Sequence, residues 1–418
     1  MEILKFMSIA PVIHSEASKI HPTTMTNAFM KFPALCALAA MAFTTPIGAK
    51  PLKVFVLCGQ SNMEGHAQIS TFPAIAKDPK TEDLYKDMVD ANGKPVVCDD
   101  VWIANSYGDF SGNPVGKISG KLTAGFGSQH HVGTGKIGPE FTFGIYMHKM
   151  LKEPVLLIKA AWGGKSLMVD FRPPSAGEIN DEKAKEKAGV YYRLIIDHVK
   201  EVLANPKSVY PNYDPKEGYE LSGFVWFQGF NDLVGSYPAS DPATGRKGIK
   251  DYSEYSRLYA CLIRDVRKDL NAPKMPFITG VLGVGGETSG DSTEAFRKAM
   301  AAPAEMDEFK GNVINVFTHQ YWPAELDALK TKISAATAEL DKKANELKMR
   351  SKKGEDCKEE SAKLAIEKAA KIDEVLSDDE KFLLKHGISN QGYHYHGSAK
   401  FFGQIGKAFA EALVNAKK

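Results

Sequence analysis

The residues able to do chemistry fall in three separated blocks. The first closes a continuous apolar run, Val54-Phe55-Val56-Leu57-Cys58, with Gly59-Gln60-Ser61-Asn62. Such a run reads as a buried parallel strand that delivers a serine to one end of a sheet. Gly59 lets the chain turn sharply, and Ser61 then sits beside unpaired backbone N–H groups that suit a developing oxyanion. Taken alone, a serine after a strand is also an ordinary helix cap. The second block, Gln228-Gly229-Phe230-Asn231-Asp232, follows the apolar run 222–227. A side-chain amide there can donate to an oxyanion, and Gln228 and Asn231 are both candidates. The third, Ser389-Asn390-Gln391-Gly392-Tyr393-His394-Tyr395-His396-Gly397-Ser398, puts two histidines just before a terminal helix, with Ser398 as its cap. A serine becomes a nucleophile when a base takes its proton, and histidine titrates in the range that task needs. The chemistry these types allow is acyl transfer.

The elements that must position these blocks follow from the apolar pattern. Strands are expected at 54–59, 101–104, 155–160, 222–227, 276–283 and 312–317, and helices at 138–151, 188–204, 251–270 and 291–302. Regular alternation of the two argues for a parallel sheet covered on both faces. Residues 66–100 read as irregular, and 105–137, 170–187 and 236–250 as loops. Gly138-Pro139-Glu140 reads as a helix start, with the early Glu140 complementing the helix dipole. Ala161-Trp162-Gly163-Gly164 ends a strand where paired glycines let the backbone approach a ligand closely. Trp162 is expected to pack, with stacking on a sugar ring as the other use. Ligands of open α/β sheets bind at the carboxyl ends of the strands, where all three blocks fall.

Gly59-Gln60-Ser61-Asn62-Met63-Glu64-Gly65 resembles the nucleophile block of the sialate O-acetylesterase and acetylxylan esterase branch of the SGNH hydrolases. The resemblance extends over roughly 52–320 and 386–415. It implies a three-layer α/β/α, flavodoxin-like parallel sheet and a serine esterase that removes O-acetyl groups from carbohydrates. It makes Ser61 the nucleophile and His394 its base. The oxyanion donors become the Ser61 N–H, the Gly164 N–H (or that of Gly163) and the amide of Gln228 or Asn231. Acetylated polysaccharide such as xylan, or sialic acid, is the implied substrate, and no cofactor motif is present.

Two positions depart from the pattern. Phe230 stands where the family has Glu, and Gln391 stands where many SGNH enzymes carry an Asp three residues before the histidine. His394 would then be oriented by a backbone carbonyl, by Gln391, or by a distant acid such as Asp232 or Glu140. The two departures favour a non-catalytic carbohydrate-binding protein as the alternative. A metal-dependent hydrolase is a further one, because an extended His394-x-His396 would place both rings on one side, where His130-His131 could join them. No complete zinc spacing is present.

The remaining sequence bounds the setting. The chain has 418 residues, 43% hydrophobic and 25% charged, with a net charge of +2, which gives no electrostatic case for nucleic acid. Met30-Lys31, an apolar run over 32–43 and a small residue at Ala49 resemble a secretory signal cleaved after Ala49, for a periplasmic or secreted enzyme. The run is too short to span a bilayer, and no lipid anchor is expected. Cys58, Cys98, Cys261 and Cys357 lack CxxC spacing, and Cys58 reads as a small buried hydrophobe. Residues 324–380 are rich in Ala, Lys, Glu and Leu with heptad spacing, and read as two antiparallel helices turning near Gly354. The expected division is an extension and signal at 1–49, an esterase domain at 50–323 and 381–418, and a helical hairpin insertion at 324–380.

Overall fold

The computed structural model describes residues 50–129, 135–179, 181–235, 237 and 250–416. The signal-like run, His130-His131 and most of the polar loop at 236–250 lie outside the described residues.

The strands are β1 (Leu52–Gly59), β2 (Val101–Gly108), β3 (Pro114–Lys121), β4 (Val155–Ala161), β5 (Tyr219–Phe227), β6 (Phe277–Val281) and β7 (Val313–Phe317). They form one sheet in the order β3-β2-β4-β1-β5-β6-β7. All neighbouring pairs are parallel except β2 with β3, which is antiparallel. The sheet therefore carries an edge strand where the sequence reads as loop. β3 is largely exposed and includes Gly116, Lys117 and Gly120, so it has no apolar run to betray it. A flavodoxin-like sheet has the order 2-1-3-4-5. Here β4 lies between β1 and β2 instead, so β4 and β5 flank β1 directly.

Between β1 and β2 the chain forms α1 (Ser61–Glu64), α2 (Phe72–Lys77) and α3 (Glu82–Met88), the last two within a segment expected to be irregular. Helix α4 (Glu140–Leu151) precedes β4, and α5 (Glu182–Lys185) and α6 (Val190–Ala204) precede β5. Helices α7 (Phe230–Val234) and α8 (Ser253–Asp269) follow β5, and α9 (Asp291–Ala301) joins β6 to β7. After β7 come α10 (Ala324–Lys352), α11 (Lys358–Val375), α12 (Asp378–His386) and, beyond a loop, α13 (Ala399–Ala416).

Strand alternation builds the layers. Val54, Val56 and Cys58 of β1 face Ile195 and Val199 of α6 and Leu258 and Leu262 of α8. Phe55 and Leu57 face Phe143 of α4 and Phe402, Ile405 and Phe409 of α13. Burying both faces of β1 explains its unbroken apolar sequence. Cys58 is buried and, with Cys98, Cys261 and Cys357, is a free thiol. Trp162 is wholly buried against Phe171 and Tyr191, so it packs rather than facing a ligand. Along α10 and α11, Leu340, Leu347, Cys357 and Leu364 make a small cluster of their own. Helix α12 starts at a capping box formed by Ser377 and Glu380.

Candidate active site

Ser61 is placed by the sheet. β1 pairs with β4 and β5 up to Gly59, and the chain turns there into the single turn of α1. A Cβ at Gly59 would lie 2.1 Å from the carbonyl oxygen of Phe227, so only glycine lets β1 run this close to β5. Ser61 opens α1, where its N–H has no preceding helical carbonyl to meet. The glycine pair leaving β4 comes alongside: a Cβ on Gly163 would stand 3.6 Å from Ser61 Cβ. Gly164 has φ +71 and would have nothing within 4 Å of an added Cβ, so it faces open space.

The two amides of the second block part company. Gln228 is buried, and its Nε2 donates to Gln60 Oε1 (3.3 Å), the Lys165 carbonyl (3.0 Å) and Asp232 Oδ2 (2.5 Å). Tyr255 Oη donates to its Oε1 at 3.2 Å. Gln228 is thus committed to an internal network and is absent from the cleft lining. Asn231 lines the cleft. Its Oδ1 accepts from Gln60 Nε2 at 2.8 Å, which leaves its NH2 as the end able to donate to a ligand. Gln60 Oε1 accepts from the backbone N–H of Gly229 (3.1 Å) and Asn231 (3.2 Å), so Gln60 fixes both the turn and the amide orientation.

His394 reaches the same place from a distant loop. The cleft of about 430 Å³ is lined by Ser61, Glu64, His66, Gly164, Asn231 and His394 among others. Asn390 Oδ1 accepts from the Gln391 N–H at 2.7 Å, which identifies it as the acceptor end, and it lies 3.0 Å from His394 Nδ1. His394 therefore carries its proton on Nδ1 towards Asn390, leaving Nε2 as the basic nitrogen. The group that meets Nδ1 is the amide of Asn390, four residues earlier, and not the side chain of Gln391. Gln391 contributes through its backbone: its N–H donates to Asn390 Oδ1, and its carbonyl accepts the N–H of His394 and of His396, both at 3.0 Å. Asn62 Nδ2 donates to the Tyr393 carbonyl at 3.2 Å and so ties the serine turn to the histidine loop. Ser389 adds a second tie, accepting from the Gln68 N–H at 3.1 Å.

Tyr395 (φ 52) and His396 (φ 58) adopt left-handed backbone, at a cost of order 1 kcal/mol each. Tyr395 repays it by burial: it stacks on Phe401 at 3.6 Å and accepts the Gly283 N–H at 2.9 Å. This kink separates the two histidines. His396 turns inward against Trp322, with Nε2 2.9 Å from Asp327 Oδ1 of α10, and burial pulls its pKa down. The two rings do not converge on one site, contrary to the extended-segment expectation. Among the described residues no cluster of three or more metal-ligating side chains occurs.

The two acids considered as supports lie elsewhere. Asp232 is buried and accepts from the N–H groups of Leu167 (2.8 Å) and Met168 (3.0 Å), from Gln228 and from Tyr237 Oη (2.8 Å). Burial pushes its carboxyl upward while these donors pull it down. Its work is to clamp the chain after Gly163-Gly164 onto the end of β5. Glu140 is fully buried, accepting from the Gly138 N–H (2.9 Å) and from Lys159 Nζ (2.8 Å). Lys159 also donates to the carbonyls of Glu64 (2.8 Å) and Phe126 (2.7 Å). Burial lowers the Lys159 pKa, and the Glu140 charge opposes that shift. Glu140 thus supports the serine turn from behind, through Lys159.

Sequence reasoning missed Gln60, Asn390, Lys159 and the pair Glu64 and His66. His66 stacks flat on His394, with centroids 4.0 Å apart and planes 3° from parallel. Its Nε2 lies 3.8 Å from Glu64 Oε2, and Glu64, His66 and His394 all line the cleft. The lysine inside an otherwise apolar β4 was the available signal for Lys159, since a buried charge requires a partner.

Residues 51–325 match the family model described as carbohydrate esterase, sialic acid-specific acetylesterase. No curated protein matches the chain. Among solved structures, a protein from Arabidopsis thaliana is similar at 19% identity, covering 64% of this chain and 86% of that one, with a TM-score of 0.36. A carbohydrate acetylesterase from Xanthomonas citri is similar at 13% identity, covering 63% of this chain and 49% of that one, with a TM-score of 0.35. A family two carbohydrate esterase from Cellvibrio japonicus is similar at 14% identity, covering 64% of this chain and 52% of that one, with a TM-score of 0.28. The chain thus spans about half the length of the last two. These structural likenesses are distant, and the family assignment rests on the match over 51–325.

Proposed function

The chain belongs to the carbohydrate esterase family of sialic acid-specific acetylesterases and is a hydrolase acting on ester bonds, and from that premise we propose a Ser61–His394 acyl-enzyme mechanism on O-acetylated carbohydrate. The single observation that carries the reading is the shared cleft of Ser61, Gly164, Asn231 and His394. Ser61 Oγ attacks the acetyl carbonyl as His394 Nε2 takes its proton. The oxyanion is held by the N–H groups of Ser61 and Gly164 and by the Asn231 amide. Collapse expels the sugar oxygen, which takes the proton from His394. Water, deprotonated by His394, then attacks the acetyl-serine and releases acetate. Asn390 holds the tautomer but brings no charge to the imidazolium. Glu64, 3.8 Å from His66 and lining the same cleft as His394, supplies negative potential beside the imidazolium.

Export with cleavage after Ala49, and the division into an esterase unit of 50–323 and 381–418 around an inserted hairpin at 324–380, belong to the same proposal. The mechanism is tested by acetate release from 4-nitrophenyl acetate and acetylated xylan by the wild-type chain, Ser61→Ala and His394→Ala. Loss in both folded variants supports it. Turnover that survives Ser61→Ala removes it. N-terminal sequencing of the exported chain tests the cleavage site.

A further inference from the structure

The mouth of the cleft is built differently from its floor. Phe110 lines it from the β2–β3 turn and is 90% exposed, and Tyr393 lines it from the histidine loop at 45%. Phe230, at the start of α7, stacks on Tyr393 with centroids 5.7 Å apart and planes 30° from parallel. With Val234, 60% exposed on the same lining, these side chains make an exposed apolar patch at one cleft rather than a single surface residue, and such a patch marks a binding surface.

The Phe110 turn is held rigidly. Asp109 Oδ1 accepts the N–H groups of Ser111 (2.8 Å) and Asn113 (2.9 Å), and Tyr191 Oη donates to the Gly112 carbonyl at 2.8 Å. Gly112 has φ +72, and a Cβ there would lie 2.0 Å from the Gly163 carbonyl oxygen, so the turn is seated on the glycine pair beside Ser61. A ring lifted out by a fixed turn loses little entropy when a partner stacks on it.

The charge at the site selects the partner. Glu64 is buried, lines the cleft and acts on Lys159 and Lys136. Lys165, which follows the glycine pair, points its Nζ at the Ser111 carbonyl (3.2 Å) and over the Tyr191 ring (4.7 Å). Among the described residues that line the cleft there is no lysine or arginine to pair with a sugar carboxylate, whereas the C–H face of an uncharged pyranose suits the aromatic rim.

Resting on the esterase reading above, we propose that Phe110, Phe230 and Tyr393 form a stacking platform for uncharged pyranose rings, so that the substrate is an acetylated neutral glycan and not an O-acetylated sialic acid. The test compares kcat/KM on acetylated xylo-oligosaccharides, 4-nitrophenyl acetate and 9-O-acetylated sialic acid for the wild type, Phe110→Ala and Phe110→Trp. The expected result is a wild-type preference for the xylo-oligosaccharide over the sialic acid. Phe110→Ala should lower the ratio of oligosaccharide to 4-nitrophenyl acetate efficiency about tenfold, and Phe110→Trp should restore it. A preference for the sialic acid, an unchanged ratio, or no turnover of any carbohydrate ester overturns the proposal. Ser61→Ala judges the serine mechanism separately, because the Phe110 ratio is read on whatever ester activity the wild type has.

Discussion

The serine turn and the histidine loop meet in one cleft but are held by different means. Ser61 lies two residues beyond a strand paired on both sides, above a buried Lys159–Glu140 ion pair. His394 stands at the end of an excursion through α10, α11 and α12, in a loop held by a left-handed kink, aromatic stacking, the His394–Asn390 contact and the ties of Tyr393 to Asn62 and of Ser389 to Gln68. The contrast teaches that Ser61 is positioned by the core of the fold, whereas His394 is positioned by contacts between loops. Damage behind the serine should therefore appear as lost stability. Damage around the histidine should appear as lost turnover in a folded protein.

The largest expected effects break the fold side of this comparison. Glu140→Ala leaves the Lys159 ammonium buried without its carboxylate, which should cost about 3–5 kcal/mol of stability, measured by urea denaturation. Asp232→Ala strands the N–H groups of Leu167 and Met168 and the Tyr237 hydroxyl, and about 3 kcal/mol is expected by the same measurement. Near-wild-type stability in either variant would remove the claim that the serine side rests on buried charge.

On the other side, Asn390→Ala should unfold at the wild-type denaturant concentration yet lose roughly 10–100-fold in kcat, because His394 loses its tautomer anchor. Asn390→Asp sharpens the point. A carboxylate beside Nδ1 favours the imidazolium, so the acidic limb of the kcat/KM profile should move to higher pH while activity is retained. Asn62→Ala cuts one tie between the loops, and a loss of about fivefold in kcat/KM is expected, equivalent to one ordinary hydrogen bond.

The smallest effect concerns pH and stability. Burial depresses the pKa of His198 below 6.5, so the folded state binds fewer protons than the unfolded chain. Its stabilising contribution is present above that unfolded value and is lost as pH falls through the folded one. Melting temperature should therefore fall on acidification, and His198→Leu should flatten that slope.

The three site blocks and the central strands were legible because local sequence dictates them. β1, β4 and β5 are buried on both faces and announce themselves as apolar runs, and Ser61 and His394 stand in distinctive strings. β3 was not legible, since an edge strand needs no apolar run. The choice between Gln228 and Asn231 depends on which amide Gln60 and Asp232 absorb, which is decided by side chains far apart in the chain. The partner of His394 escaped for a related reason. Spacing pointed to Gln391, but the N–H groups of His394 and His396 bond to the Gln391 carbonyl and curl the loop so that Asn390 meets Nδ1.

The central claim is that Ser61 carries the acyl group. Mass spectrometry of the full chain, quenched during turnover of 4-nitrophenyl acetate and digested, reads this directly in the wild type and in Asn390→Ala, where deacylation should be slowed. The account predicts one acetyl adduct on the peptide containing Ser61, absent from Ser61→Ala, which should also be inactive. An adduct on another residue that tracks turnover, or full turnover by Ser61→Ala, would contradict it.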